Sequence, residues 1–187
     1  MVLIDDCDIW LDNHGLIQEF SSANTSINAK KLPRIFREVE WKSGTRNADI
    51  GGGKYNNGTE FLKTLGVENF IYDPFNRNFM WNIFSLSKIR DGQCDTCTVC
   101  NTLNVIKEPE NRYLVIRQAH NVLKNGGVAY FTIYEGDKKG IGINTKNRCW
   151  QENREAESYS QEILSEFAFS NIKIKRSKKL IIAYKEN

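Results

Sequence analysis

Short apolar runs of the length expected for strands recur along the chain, at residues 48–50, 69–72, 96–100, 128–134, 172–175 and 180–184. Between them, apolar residues at helical spacing predict helices over residues 29–41, 59–65, 108–123 and 160–167. The run at 128–134 is the longest, and its near-continuous apolarity predicts a central strand that is covered on both faces. Strands that alternate with helices and then end in a strand pair predict an α/β sheet with one hairpin added.

Glycine and proline mark the ends of several of these elements. Gly66 ends the helix over 59–65, and Pro74 ends the strand over 69–72. The turn at 124–127, Lys-Asn-Gly-Gly, ends the third helix, whose predicted buried stripe consists of Tyr113, Ile116, Ala119, His120 and Leu123. We interpret His120 as a structural residue because it falls in that stripe. Residues 76–92 predict neither a helix nor a strand.

Length and composition are those of one folded domain. The chain has 187 residues, of which 40% are hydrophobic and 26% are charged. We therefore expect a single domain over 1–187, with an N-terminal extension containing a helix over 1–45 and a core over 46–187. No apolar run is long enough to span a bilayer, and the first residues lack the pattern of a secretory signal. A cytoplasmic location is the expectation.

The five cysteines do not suggest a disulfide framework, because their number is odd and their spacing is irregular. Cys94, Cys97 and Cys100 form a C-x-x-C-x-x-C run that superficially resembles a cluster site. In a strand, however, a spacing of three sends neighbouring side chains to opposite faces, and no fourth Cys or His follows closely. We predict no metal site.

A glycine-rich turn follows the first predicted strand in the sequence Asp-Ile-Gly-Gly-Gly at residues 49–53. Glycine lets a backbone turn tightly and lie against a ligand. Asp73, twenty residues after Gly53, closes the next strand, where a carboxylate can accept hydrogen bonds from both hydroxyls of a ribose. This combination predicts half of a nucleoside pocket, although the glycines taken alone are also compatible with a simple strand-to-helix turn.

Two common nucleotide motifs do not fit this turn. A dinucleotide fingerprint requires glycine or alanine where this chain has Asn56. A P-loop requires glycine and a hydroxyl residue where this chain has Ala48 and Tyr55.

The pattern D-x-G-x-G followed by an acid at the next strand end resembles the class I S-adenosylmethionine-dependent methyltransferases. Residues 98–106 resemble that family's fourth-strand segment, and residues 123–127 resemble the turn before its fifth strand. The resemblance implies a Rossmann-like α/β fold with a seven-stranded, mostly parallel sheet, a C-terminal antiparallel hairpin and helices on both faces. It also implies S-adenosylmethionine as the cofactor, with the amino-acid part beside residues 49–53 and the ribose held by Asp73.

Carried over residue by residue, the resemblance gives the cofactor-binding candidates Asp49, Gly51, Gly52, Gly53, Tyr55, Asp73, Pro74, Phe75, Asn101 and Leu103. Methyl transfer mainly requires alignment of the acceptor, and a general base can assist if the acceptor carries a proton. The candidates for a catalytic role are Asn101, Asn104 and Glu135, with Asp137, Tyr55, Lys30 and Lys31 as further polar residues that can reach the site. For each of these, the alternative is a role in capping or in ordering a loop, which polar residues at such positions commonly have.

Four short pieces narrow the resemblance: Lys31-Leu32-Pro33, Tyr72-Asp73-Pro74, Asn104-Val105-Ile106, and the late Gln151 and Tyr159. Together they resemble a bacterial and phage group of methyltransferases associated with DNA phosphorothioation systems. The chain departs from the amino-group DNA methyltransferases, since Asn101-Thr102-Leu103-Asn104 stands in place of their D/N/S-P-P-Y/F/W motif. It also lacks the Pro-Cys nucleophile of cytosine C5 enzymes.

The net charge of +3 is small, but basic residues cluster in two places, comprising Lys30, Lys31, Arg34 and Arg37, and Lys173, Lys175, Arg176, Lys178 and Lys179. These clusters predict a nucleic-acid partner or, equally, solvated faces of a helix and a strand pair. The expected function is methyl transfer to a nucleic acid or to a small molecule linked to one. The alternative is a module that binds the cofactor, does not catalyse, and contacts DNA or a defence protein.

Overall fold

A computed structural model describes residues 18–23, 31–144, 149–168 and 171–186. Its main sheet contains the strands β1 Arg46–Ile50, β2 Glu68–Tyr72, β3 Cys94–Cys100, β4 Leu123–Thr132, β7 Ile172–Lys175 and β8 Leu180–Tyr184. Their order across the sheet is β2-β1-β3-β4-β8-β7. A separate two-stranded sheet contains β5 Gly142–Asn144 and β6 Trp150–Glu152.

Strands β1 to β4 run parallel, whereas β8 is antiparallel to β4 and β7 is antiparallel to β8. The predicted mostly parallel sheet with a C-terminal antiparallel hairpin is therefore confirmed. The expectation of seven strands is not met, since six strands form the main sheet within the described part of the chain. The carboxyl ends of the four parallel strands lie at the same end of the sheet, here called the carboxyl edge, so the loops after these strands lie together.

The helices are α1 Ile35–Glu38, α2 Asn57–Thr64, α3 Phe79–Lys88, α4 Pro109–Asn121 and α5 Ser160–Ile163. Helices α1 and α2 bury Phe36 and Leu62 on one face of the sheet. The larger core lies on the other face, where Leu86 of α3, Ile116 of α4 and Ile163 of α5 pack together. Helices cover both faces, as predicted, and the parallel strands are buried between them.

Several predicted boundaries were wrong. The helix predicted over 29–41 spans only α1, and Lys30 lies outside the described residues. The unassigned stretch 76–92 contains α3. The predicted turn at 124–127 is part of β4, where the register against β3 shifts between Cys94 and Thr96. Tyr113, placed in the buried stripe of α4, is 38% exposed.

A buried ion pair ties α4 to α5. The guanidinium of Arg112 donates to both carboxylate oxygens of Glu162, at 2.6 and 3.2 Å. Its remaining nitrogen donates to the main-chain oxygens of Ile106 and Lys107, at 2.9 and 2.7 Å. Arg154 also donates to Glu162. Because almost every polar atom of the Arg112 head has a partner, this charge can lie in the core.

Cys94 and Cys97 of β3 are fully buried, and burial raises the pKa of the Cys94 thiol to about 12. Within the described residues, no group of three His, Cys, Asp or Glu side chains is arranged to hold a metal ion. None of the helices in that part of the chain has the length and apolarity needed to cross a membrane.

Candidate functional site

The glycine turn after β1 has two residues in the left-handed region, Gly51 at φ 70° and Gly53 at φ 73°. A side chain is also sterically excluded, because a Cβ on Gly51 would lie 2.4 Å from the hydroxyl oxygen of Thr102. A Cβ on Gly52 would lie 2.3 Å from a carboxylate oxygen of Asp49. The turn therefore needs glycine both for its conformation and because the chain's own side chains pack against it.

Asp49 lies beneath this turn and not on its surface. It is 3% exposed, and its carboxylate accepts a hydrogen bond from the Thr98 hydroxyl at 2.8 Å. Burial raises the pKa of the Asp49 carboxyl to about 7, with a further rise from the neighbouring charge of Asp73, against the lowering effects of Thr98 and Arg77. The geometry makes Asp49 a support of the glycine turn.

The raised pKa of Asp49 predicts a pH-dependent stability. The unfolded chain has an Asp pKa near 4, so the folded state binds more protons between about pH 4 and 7 and stability falls as the pH rises. We expect Asp49→Asn to remove this dependence. When the pH rises from 5 to 8, the unfolding free energy of the wild type should fall by about 2 to 3 kcal/mol relative to that of the variant. Urea denaturation of both proteins at the two pH values measures this difference. Parallel pH profiles for the two proteins would contradict the assignment.

Asp73 follows β2 at the same edge and is buried, with 4% exposure. Its Oδ2 accepts from the Gly53 N–H at 2.9 Å, so the second acid is tied directly to the glycine turn. Its Oδ1 accepts from the main-chain N–H groups of Phe75 and Asn76, at 3.0 and 2.9 Å. The side-chain amide of Asn76 donates to both oxygens at 3.2 Å. The second acid and the glycine turn are therefore in direct contact.

Two residues that the sequence analysis missed hold this arrangement. Arg77 donates to the main-chain oxygens of Gly53 and Tyr55, at 2.7 and 2.9 Å. Asn82, buried on α3, accepts from the N–H of Asp73 and donates to its C=O, each at 3.0 Å. That amide pairs with the main chain of Asp73 as a neighbouring strand would. Neither residue lies in a recognisable motif, and α3 itself had not been predicted.

The other cofactor-binding candidates occupy different environments. Tyr55 is half-buried beside the turn, Pro74 is exposed, and Phe75 is exposed by 39% immediately after Asp73. Asn101 is exposed at the end of β3 with φ 54°, a left-handed conformation that Asn tolerates better than most residues. Leu103 is fully buried in the larger core, so its side chain packs and only its backbone remains near the edge.

Asn104 lies in a 3-10 turn at Leu103–Val105 and is 1% exposed. Its amide nitrogen donates to Gln151 Oε1 at 3.1 Å. The amide nitrogen of Gln151 donates to the carbonyls of Tyr134 and Glu152, at 3.3 and 2.9 Å, which fixes the orientation of both amides. Asn104 Oδ1 is consequently a buried acceptor that has no hydrogen-bond partner among the residues the structure describes.

Glu135, a catalytic candidate, serves a local structural role. Its Oε1 accepts from the Ala156 N–H at 3.0 Å, and its Oε2 lies 3.2 Å from the ammonium groups of both Lys138 and Lys179. Burial acts to raise its pKa, but these contacts outweigh it, and the pKa is lowered. Asp137 accepts from the Lys139 N–H, which lowers its pKa. Both carboxylates order the loop after β4.

The basic clusters are partly neutralised within the chain. Arg176 pairs with Glu157, Lys178 with Glu38 at 3.4 Å, and Lys179 with Glu135. Arg34 also pairs with Glu38. Lys31, Arg37, Lys173 and Lys175 are exposed and have no carboxylate partner among the described residues. Lys173 lies over the ring of Tyr184 at 5.1 Å.

No protein-family model matches the sequence, and no curated protein matches it significantly. Solved structures do match. The N1-methyltransferase for 1,6-didemethyltoxoflavin from Burkholderia thailandensis, with bound S-adenosylhomocysteine, aligns with a TM-score of 0.54 at 16% identity over 78% of this chain and 72% of that one. Human N-acetylserotonin methyltransferase with S-adenosylmethionine aligns with a TM-score of 0.56 at 13% sequence identity, over 87% of this chain and 52% of that one.

The fold is that of the class I methyltransferases. A third match shows how far this conclusion extends: the 4+2 cyclase SpnF aligns with a TM-score of 0.53 at 12% identity over 85% of this chain and 68% of that one. A fold shared by methyltransferases and a cyclase does not by itself define a reaction. The reaction is determined by the residues of the site.

Proposed function

We propose that this protein binds S-adenosylmethionine and transfers its methyl group to an acceptor held at the carboxyl edge of the sheet. The observation that carries the proposal is the direct hydrogen bond between Gly53 and Asp73, which brings the glycine turn and the second acid together. Two matched structures were determined with S-adenosylmethionine or its demethylated product, which supports the same cofactor here. When bound, S-adenosylmethionine supplies an electrophilic methyl group.

The residues at the edge fit such a ligand. Gly51 and Gly52 are half-exposed, so a ligand can lie against their backbone. Asp73 would accept from the ribose hydroxyls once the amide of Asn76 turns away, since that amide makes the longest contacts to the carboxylate, at 3.2 Å. The exposed ring of Phe75 would flank the adenine, and the exposed Asn101 would lie beside the amino-acid part.

The polar groups near the edge favour an acceptor that needs little help in losing a proton. Glu135 and Asp137 have lowered pKa values and are paired with lysines, so they are poor bases at neutral pH. His120 lies at the end of α4, next to the amino end of β4. It is therefore at the end of the sheet opposite the carboxyl edge and does not serve as a base there. Asn104 Oδ1 would accept from an N–H or O–H of the acceptor and orient it.

For the acceptor class we propose a nucleic acid or a small molecule linked to one. The exposed Lys31, Arg37, Lys173 and Lys175 support this choice because they leave positive charge on the surface. The association with DNA phosphorothioation systems is proposed on the four sequence pieces that resemble that group. A cofactor-binding module without catalysis is the second candidate, favoured by the pairing of Glu135 with two lysines.

Isothermal titration calorimetry with S-adenosylmethionine and S-adenosylhomocysteine tests the cofactor. We expect a dissociation constant in the micromolar range, and an absence of heat on folded protein would refute both candidates. Transfer of a radiolabelled methyl group to DNA, tRNA or a cell extract then separates them. Asn104→Ala should leave cofactor affinity unchanged and lower transfer, whereas normal transfer by that variant would remove Asn104 from the mechanism.

A further inference from the structure

The outer edge of β2 is open within the described residues, because β1 is its one neighbour there. The Glu68 N–H donates to Thr45 at 3.0 Å and the Tyr72 carbonyl accepts from Gly51 at 2.8 Å. These bonds turn the peptide groups of Glu68, Phe70 and Tyr72 toward β1. By strand alternation, the peptide groups of Asn69 and Ile71 face outward.

The open stretch is bounded at one end by Asn82. Its amide already satisfies both the N–H and the C=O of Asp73, the next outward-facing residue. Only the peptide groups of Asn69 and Ile71 remain for a partner strand, and no described residue bonds to them. Open edges of this kind readily pair with another strand.

Beside this edge, α3 is apolar on both its inner and its outer side. Leu86 and the following Ile89 are buried in the core, yet Phe79, Met80, Trp81 and Phe84 are between 43% and 71% exposed. Phe84 packs edge-on against Phe70 of β2, with ring centroids 6.1 Å apart. A helix that is apolar all round is normally covered on its outer side as well. A contiguous exposed apolar surface of this kind marks an interface.

We propose that a second copy of this chain covers this surface, through antiparallel pairing of the two β2 strands about a twofold axis at Phe70. The outward peptide groups are symmetric about that residue, so Asn69 would pair with Ile71 of the partner subunit and Ile71 with Asn69 of the partner subunit. Each is a hydrogen-bonded pair. An occupant of this surface has to offer both an open strand edge and an apolar helix beside it, and a second copy of this chain offers both.

The helices and charges agree with this arrangement. A twofold axis perpendicular to the sheet places both α3 helices on the same face, on either side of the axis. Because Phe84 contacts Phe70, the stripe formed by Met80 and Phe84 lies close to the axis and meets its symmetry mate. Glu68, at the end of the open edge, is paired with Arg46 at 2.9 Å and adds no unbalanced charge.

Sedimentation equilibrium of the full chain tests the association. We expect a dimer for the wild type and a folded monomer for the double variant Met80→Glu/Phe84→Glu, since both side chains are more than half exposed. Ile141→Glu places the same charge on an exposed apolar residue elsewhere and should remain dimeric. A monomeric wild type at every concentration reached, or a double variant that stays dimeric, would overturn the proposal.

Cysteine crosslinking tests the register. At the proposed axis, Phe70 faces Phe70 of the partner subunit as a non-hydrogen-bonded pair about 4.5 Å apart between Cα atoms, near the lower limit for a disulfide. We expect Phe70→Cys to form a covalent dimer on mild oxidation. Glu68→Cys is the matched control, because its copies would lie about 13 Å apart along the strands. Crosslinking of the control but not of Phe70→Cys would refute this register. A wild type that binds another protein through this surface, and never a second copy of itself, would refute the symmetric pair.

Discussion

Glu162→Gln is expected to lower the free energy of unfolding by about 3 to 5 kcal/mol, the usual cost of removing one partner from a buried ion pair. Glu162 is 8% exposed and is the common acceptor for Arg112 and Arg154. Without its charge, two guanidinium groups remain in or near the core with no carboxylate between them. Urea denaturation at neutral pH measures the loss directly.

The chain offers a matched control for this prediction. Arg117 and Glu166 join α4 to the segment after α5 at 3.0 Å, but Arg117 is 58% exposed. Because water screens this second pair, Glu166→Gln should cost less than about 1 kcal/mol. The double variant Arg112→Met/Glu162→Leu should recover the part of the loss that comes from Arg112, since an apolar pair of similar volume needs no desolvation of charge, while Arg154 still lacks its carboxylate. Equal losses for Glu162→Gln and Glu166→Gln would contradict the interpretation.

The order of the elements could be predicted from the sequence wherever apolar runs were continuous. The run at 128–134 predicted a central strand, and β4 indeed lies between β3 and β8. For the first strand, the sequence predicted only its end at 48–50, and the polar Arg46 and Asn47 give no apolar pattern for its start. In the fold, Asn47 is buried and its amide donates to Asn69 and Thr98, at 2.7 and 3.0 Å. Such cross-strand bonds depend on three distant segments, so local pattern cannot predict them.

Helix α3 was missed for a different reason. Its apolar residues occur on both sides, so the stretch lacks the single stripe by which an amphipathic helix is found. This omission had consequences for the site, because Asn82 and Arg77 lie in or just before α3 and hold Asp73 and the glycine turn. The sequence predicted that the glycine turn and Asp73 lie at the same end of the sheet. It could not predict that Asp49 is buried as a support, or that Asp73 already bonds to Gly53.

Asp73→Ala is expected to weaken the binding of S-adenosylhomocysteine by at least about a hundredfold. Two charge-assisted hydrogen bonds to the ribose hydroxyls contribute roughly 3 kcal/mol together even at the low end of their range, which corresponds to that change in affinity. Calorimetry measures the dissociation constant, and a thermal melt shows whether the variant remains folded. The matched control is Asn76→Ala, which removes the amide that competes for the same carboxylate oxygens and should bind at least as tightly as the wild type.

Because Asp73 also accepts from the main chain of Gly53, Phe75 and Asn76, the variant alone does not distinguish a lost ribose contact from a distorted turn. A ligand without the 2′ and 3′ hydroxyls makes that distinction. If Asp73 binds the ribose, the dideoxy ligand should bind the wild type about as weakly as the normal ligand binds Asp73→Ala, and combining the two changes should add little further loss. If the two losses of binding free energy add up, Asp73 only stabilises the glycine turn, and other residues hold the ribose.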